Sequence, residues 1–385
     1  LIDPGGANNA VEEYDGSSWT TVTNYPVSTG YGAGAGTQTS GVAWSFSPPQ
    51  NITCTYDGTS WTVTGATAGT NGSSIHYGNM GTQTAAIAAG RPSSTAAEEF
   101  NISTNTISAA AWASSNNLNT GRNAGAGFGI QTAAVMTTGN VPPESNATEE
   151  YDGSSWTSVT NYPISKRFTA ASGTLTSGLV AGGSPAVATV NKYDGTNWTA
   201  ANSLPTSTDG GVMFGTQTAS VYSVGRNPSA TTTTYEFDGT NWTAGGAAGT
   251  ARYFLASSGT LTAGLMFGGQ APGPSTKSET EEYDGTSWSE SGDLGTARYG
   301  VGGSLAGTQT DTIAFAGNNP AVVLTEGYDG TVWSTRPNMG TARRFISGAG
   351  TATAGLGFGG NPPNNSTEEF TGESSALNVK TLTQS

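Results

Sequence analysis

One hexapeptide, Tyr-Asp-Gly-x-x-Trp, recurs along this chain and constrains its fold more than any other feature. It stands at Tyr14 to Trp19, Tyr56 to Trp61, Tyr151 to Trp156, Tyr193 to Trp198, Tyr283 to Trp288 and Tyr328 to Trp333, and with Phe for Tyr at Phe237 to Trp242. A degenerate copy runs from Phe100 to Trp112 with an insertion, and a ninth, Phe370-Thr371-Gly372, lacks the Trp. The spacing is about 45 residues per unit, a period typical of propeller blades.

A second block falls between these copies. It reads Gly-Thr-x-Thr at Gly36, Gly81, Gly173, Gly215, Gly259, Gly307 and Gly350, with Gly129-Ile130-Gln131-Thr132 as an eighth copy. Six residues after each leading Gly stands an apolar residue such as Val42, Leu179 or Leu265, and another inward position follows two residues later. A period of two marks a strand. Several of these strands end in a Gly pair, as at Gly182-Gly183, Gly268-Gly269 and Gly359-Gly360. Asp-Gly between strand-like segments is a hairpin signal, because Gly accepts positive φ. Each unit therefore reads as four short antiparallel strands, too small to bury its own faces without neighbours.

The expected fold is all-β: a β-propeller of four-stranded blades. It is read as a single domain, 1–385, with units near 1–28, 29–69, 70–120, 121–164, 165–206, 207–249, 250–295, 296–339 and 340–385. Nine Tyr/Trp copies against eight Gly-Thr-x-Thr copies leave the expected ring at eight or nine blades. Composition agrees with this reading. There are 57 Gly among 385 residues, which disfavours long helices, while 9 Trp, 14 Tyr and 12 Phe need a core and argue against disorder.

The net charge is -14 and no basic stripe is visible, so nucleic acid is not an expected partner. The single cysteine, Cys54, cannot form an intrachain disulfide, and it reads as a small hydrophobe in a third strand. The single histidine, His76, rules out a His-cluster metal site. No run of 18 apolar residues is present, so no membrane-spanning helix is expected.

The Gly pair after an apolar strand, then Tyr, then Trp, resembles the Kelch-repeat family of propellers. It is clearest in Gly268-Gly269, Tyr283, Trp288 and in Gly182-Gly183, Tyr193, Trp198. An Arg opening the first strand, often seen in that family, stands at Arg122, Arg167, Arg252, Arg298 and Arg343. The period is shorter than that family's and the Tyr-to-Trp loop tighter. The wording of the repeat is also similar to Kelch-like repeat proteins of marine bacteriophages, and that resemblance implies a virion-associated role.

The repeated residues Tyr14, Trp19, Tyr56, Trp61, Trp112, Tyr151, Trp156, Tyr193, Trp198, Trp242, Tyr283, Trp288, Tyr328 and Trp333 are expected to be scaffold, packing blade on blade. Trp44 reads as core by its strand phase. The Glu pairs could suggest acid/base chemistry, but catalytic carboxylates are unique residues and these repeat. They are expected to answer the repeated Arg, which makes Arg122 with Glu150, Arg252 with Glu282, and Arg343 with Glu369 candidate ion pairs. The Tyr-Asp-Gly-x-x-Trp turn is similar to the Asp-box of sialidase propellers, one residue too tight. An arginine cluster cannot be read from sequence; Lys166-Arg167 and Arg343-Arg344 are the only adjacent basic pairs.

These observations lead to the expectation of a non-catalytic structural and binding protein without cofactor or metal. It is expected in a virion tail, fibre or head appendage, within a homo- or hetero-oligomeric assembly. Its expected partners are other virion proteins or a host receptor or glycan, with contacts sought at Asn71 to Asn79 and Asn101 to Ala111. The alternatives are a secreted or cell-surface glycan-binding adhesin, and a hydrolase or lyase using Asp209, Asp293 or Asp311.

Overall fold

The computed structural model describes residues 9–28, 32–45, 52–65, 78–83, 85–91, 94–101, 104–273, 275–318 and 320–378. Every regular element among them is a strand. The chain forms two compact units rather than one, Leu1–Ser108 with Ser374–Ser385, and Ala109–Glu373.

Within Ala109–Glu373, six four-stranded antiparallel sheets are described. Their inner strands are Ala126–Ile130, Ala170–Thr174, Val212–Thr216, Ala256–Thr260, Gly302–Gly303 and Ser347–Gly350; we number the blades one to six in that order. Each inner strand packs beside the next, and Ser347–Gly350 packs beside Ala126–Ile130, so the circle closes. This is a propeller ring, as expected, but its six blades lie in the second unit alone. The ring of eight or nine over 1–385 is corrected accordingly.

The miscount has a topological cause. The sixth blade takes its outer strand, Ala111–Ser115, from the start of the unit and its other three from the end, with Trp112 opposite Phe370. The copy that lacks a Trp and the copy carrying Trp112 are thus one copy, split across the chain. The stretch Asn101 to Ala111 is correspondingly no blade insertion. Thr104–Ser108 pairs with Ser374–Asn378, and the segment carries the chain from one unit to the other. The expected unit 70–120 is divided between them.

The other unit contains a hairpin, Val11–Tyr14 with Trp19–Val22, and a four-stranded sheet, Gly32–Thr37, Ser40–Ser45, Thr53–Tyr56 and Trp61–Gly65. A three-stranded sheet of Gly78–Gly81, Ala85–Arg91 and Ser94–Asn101 follows. Cys54 lies buried in the third strand of its sheet, within a cluster of Val11 and Tyr25, and Trp44 is buried too. His76 and the segment 71–77 lie outside the described residues.

Local chemistry explains the turns. The Asp152 carboxylate accepts the N–H groups of Ser154 and Ser155, each at 2.7 Å, and Gly153 supplies a φ of 90°. The same Asp turn closes the hairpins at Asp15, Asp57, Asp194, Asp238, Asp284 and Asp329. These backbone bonds hold each exposed carboxyl below its usual range, with serine hydroxyls adding to them at Asp15, Asp57, Asp152 and Asp284. In the Gly-Thr-x-Thr turn, a Cβ on Gly215 would sit 2.3 Å from the Ala219 carbonyl oxygen, so only Gly fits.

Candidate functional site at the mouth of the ring

The repeated residues build the walls. Each outer-strand Trp of the ring donates its indole N–H to the preceding blade: Trp112 to Thr325, Trp156 to Thr367, Trp288 to Thr234 and Trp333 to Thr280 through the threonine hydroxyl, and Trp198 to Thr160 and Trp242 to Asn202 through the backbone carbonyl. The third-strand Tyr also reaches back one blade. Tyr193 donates to Glu150 at 2.7 Å and Tyr328 to Glu282 at 2.5 Å; Tyr151 to Glu369 and Tyr283 to Glu236 follow the same pattern. Burial, with that hydrogen bond, pushes the Tyr151 and Tyr328 phenols up to about 12. In the other unit Tyr56 is buried, whereas Tyr14 and Trp19 are exposed.

The candidate ion pairs are corrected by one residue. Arg122 pairs with Glu149, Arg252 with Glu281 at 2.9 Å, and Arg343 with Glu368 at 2.7 Å, all buried. Successive strand residues face opposite ways. The first Glu of each pair therefore turns to the Arg of its own blade, and the second (Glu150, Glu282, Glu369) to the Tyr of the next. Each paired carboxylate also accepts a backbone N–H, as Glu281 does from Gly249 at 2.6 Å. Burial pushes these guanidiniums down in pKa and the facing carboxylate opposes it. A fourth pair, Arg298 with Glu326 at 2.7 Å, was missed because Gly327 replaces the second Glu.

Two residues after each buried Arg, or its counterpart in blades two and three, the chain takes a left-handed conformation. The six residues are Ala124, Phe168, Gly210, Phe254, Gly300 and Phe345, with φ from 49° to 67°. Their N–H groups donate around a circle: Phe168 to Ala124, Gly210 to Phe168, Phe254 to Gly210, Gly300 to Phe254, Phe345 to Gly300 and Ala124 to Phe345, at 2.7 to 3.1 Å. Phe168, Phe254 and Phe345 come from alternate blades, yet their ring centroids lie 4.4, 5.1 and 5.4 Å apart. Residues so placed meet only on the axis. The small residues between them make room, since a Cβ on Gly210 would sit 2.8 Å from the Phe254 ring. Left-handed φ in a bulky residue costs roughly 1–3 kcal/mol and gathers at functional sites.

The residues just before this circle ring the axis on one face: Asn123, Arg167, Asp209, Tyr253, Tyr299 and Arg344. Those just after it line an axial cavity of about 100 Å³, together with Leu305 from the fifth blade. At the mouth, Arg167 stacks on Phe168 at 5.1 Å, Arg226 on Phe254 at 4.7 Å and Arg344 on Phe345 at 5.5 Å. Arg167 lies 3.3 Å from Glu144 and Arg226 2.8 Å from Asp209. Arg344 donates to the Tyr299 hydroxyl at 3.0 Å.

Both adjacent basic pairs thus divide their work. Lys166 and Arg343 are buried in the blades, while Arg167 and Arg344 turn to the mouth. Of the three unique carboxylates considered, only Asp209 is there. Asp293 accepts from Ser278 and Thr280 near a strand start, and Asp311 belongs to a Gly-Thr-x-Thr turn. Sequence reasoning missed Tyr253, Tyr299 and Arg226. A usable signal was present: Phe168, Phe254 and Phe345 recur at every second unit.

No protein-family model matches the chain, and no curated protein is similar to it. Among similar solved structures is one described as "Structure of YjhT", with a TM-score of 0.54 and 13% identity. The likeness covers 70% of this chain and 99% of that one. It shows a shared fold. The expectation that this chain is no enzyme is withdrawn. That expectation rested on a regular repeat leaving no unique constellation of side chains, and the mouth assembles one.

Proposed function

We propose that the chain is a Kelch-like propeller that recognises a ligand at the mouth of its ring, and that it does so as part of a phage virion meeting a host surface receptor or glycan. One observation carries the binding reading. At a single backbone position the six blades present Asn123, Arg167, Asp209, Tyr253, Tyr299 and Arg344, while the scaffold positions around it repeat. Side chains that differ where the framework is constant are the mark of a recognition surface on a rigid scaffold. The aromatic floor and the polar rim suit a small ring-bearing molecule. The virion setting is supported by the wording of the repeat.

The test is a glycan and small-molecule binding screen on the purified protein, repeated on Tyr253→Ala. Binding that is lost in this variant and kept in Trp198→Phe, a wall residue, supports the reading. Binding that ignores the mouth overturns it. Asp209, Glu144 and the two tyrosines are the mouth's titratable groups besides arginine, so the same screen should follow the products of each bound ligand. Mass spectrometry of purified particles tests the virion setting.

A further inference from the structure

We propose that the mouth holds a subsite for the carboxylate of a small monoanionic ligand, centred on Arg344 and flanked by Asn123 and Arg167. The proposal rests on the mouth being the ligand site.

Three guanidiniums gather over three touching Phe rings. Two of them face carboxylates, Arg167 at Glu144 and Arg226 at Asp209. Among the described residues, Arg344 has no carboxylate within 4.0 Å and is held by the Tyr299 hydroxyl. The mouth thus keeps one uncompensated positive charge, on a chain whose net charge is -14. A monoanion neutralises it. A polyanion would meet the repulsion of the whole molecule.

Asn123 is 4% exposed and its side-chain N–H₂ has no hydrogen-bond partner. Buried polar groups are almost always partnered, so an unused buried donor at a rim position marks a place for an acceptor. Asn123 precedes the left-handed residue of blade one, as Arg344 does in blade six and Arg167 in blade two. The three are consecutive around the circle. The Arg167 Nε itself faces Glu144 at 3.3 Å, so it flanks the subsite and does not carry it. Two planar guanidinium forks beside an amide donor match the two oxygens of a carboxylate. The Phe rings and Tyr299 would lie under the rest of the molecule, so the ligand class is a carboxylic acid with a ring body, such as a sugar acid.

Calorimetric titration of the whole protein with glucuronate, benzoate, glucose and inorganic phosphate tests this. We expect glucuronate or benzoate to bind at least about tenfold more tightly than glucose, because a hydrogen-bonded charge adds that much. Arg344→Met should abolish the preference, and Arg336→Met, on an exposed outer strand, should leave it. Asn123→Leu separates ligand contact from scaffold. It should weaken carboxylate binding while leaving the melting temperature unchanged or raised, since it removes an unpaired donor.

No saturable carboxylate binding, equal binding of glucuronate and glucose, or binding unchanged in Arg344→Met and Asn123→Leu would each overturn the proposal. Displacement of glucuronate by equimolar phosphate would overturn the carboxylate class. A neutral ligand held at the mouth without any carboxylate preference would overturn this subsite and leave the mouth reading standing.

Discussion

Trp112 and Phe370 face each other across neighbouring antiparallel strands, their ring centroids 5.3 Å apart, although they lie at opposite ends of the same compact unit. Trp112 also donates to the Thr325 hydroxyl of the blade before, at 3.0 Å. The strand Ala111–Ser115 therefore closes the ring. A protein spanning 109–373 should fold with a cooperative melt, and one spanning 121–373 should not. Trp112→Ala in the full chain should cost about 2 kcal/mol, less than a fully buried aromatic truncated to Ala, because Trp112 is half-buried. Denaturant titration followed by near-ultraviolet circular dichroism checks both.

Arg252→Leu should destabilise by about 3–5 kcal/mol, because Glu281 is left buried without its cation. Lys277→Leu breaks a half-exposed pair with Glu279 and should cost no more than about 1 kcal/mol. Equal melting temperatures for the two variants would contradict the buried pair.

The Tyr–Glu bonds between blades carry a matching exception. Where blade three has Phe237 in place of Tyr, blade two has Lys192 in place of Glu, and its ammonium lies 5.5 Å over the Phe237 ring. Blade six has Phe370 for Tyr, and blade five has Gly327 for Glu. Lys192→Glu and Phe237→Tyr should each destabilise alone. Together they should recover about 1 kcal/mol of coupling, the worth of a new hydrogen bond. A double-mutant cycle by urea denaturation reads this directly.

The Asp turns set an acid limb. Their folded-state pKa values are depressed, so their stabilisation is complete above the unfolded value of about 3.9 and is lost as pH falls through the folded value. Melting temperature should therefore drop steeply below about pH 4. Asp152→Asn keeps an acceptor oxygen without the charge, and should flatten that drop slightly while leaving the neutral-pH melt nearly unchanged.

The repeat made the strands, turns and blade walls legible, because Tyr, Asp-Gly and Trp each have one local job. Closure was not legible. Trp112 and Phe370 are far apart in sequence, so a split blade reads as two incomplete ones. Partner choice was half legible: a Glu pair facing an Arg announces an ion pair, but strand phase decides between Glu149 and Glu150. The mouth was the least legible, since its residues are exceptions to the repeat. Arg344 stood out only as the neighbour of another basic residue, and Arg167 reads as a first-strand Arg although the buried Lys166 holds that position. Their convergence depends on three Phe side chains meeting on an axis that no local pattern describes.

Diffraction from crystals soaked in glucuronate tests the central claim most directly. The account predicts the ligand at the ring mouth, its carboxylate hydrogen-bonded to Arg344 and Asn123 and its sugar ring over Phe345. A ligand bound only on the outer blade faces, or an empty mouth open to solvent in the lattice, would contradict it.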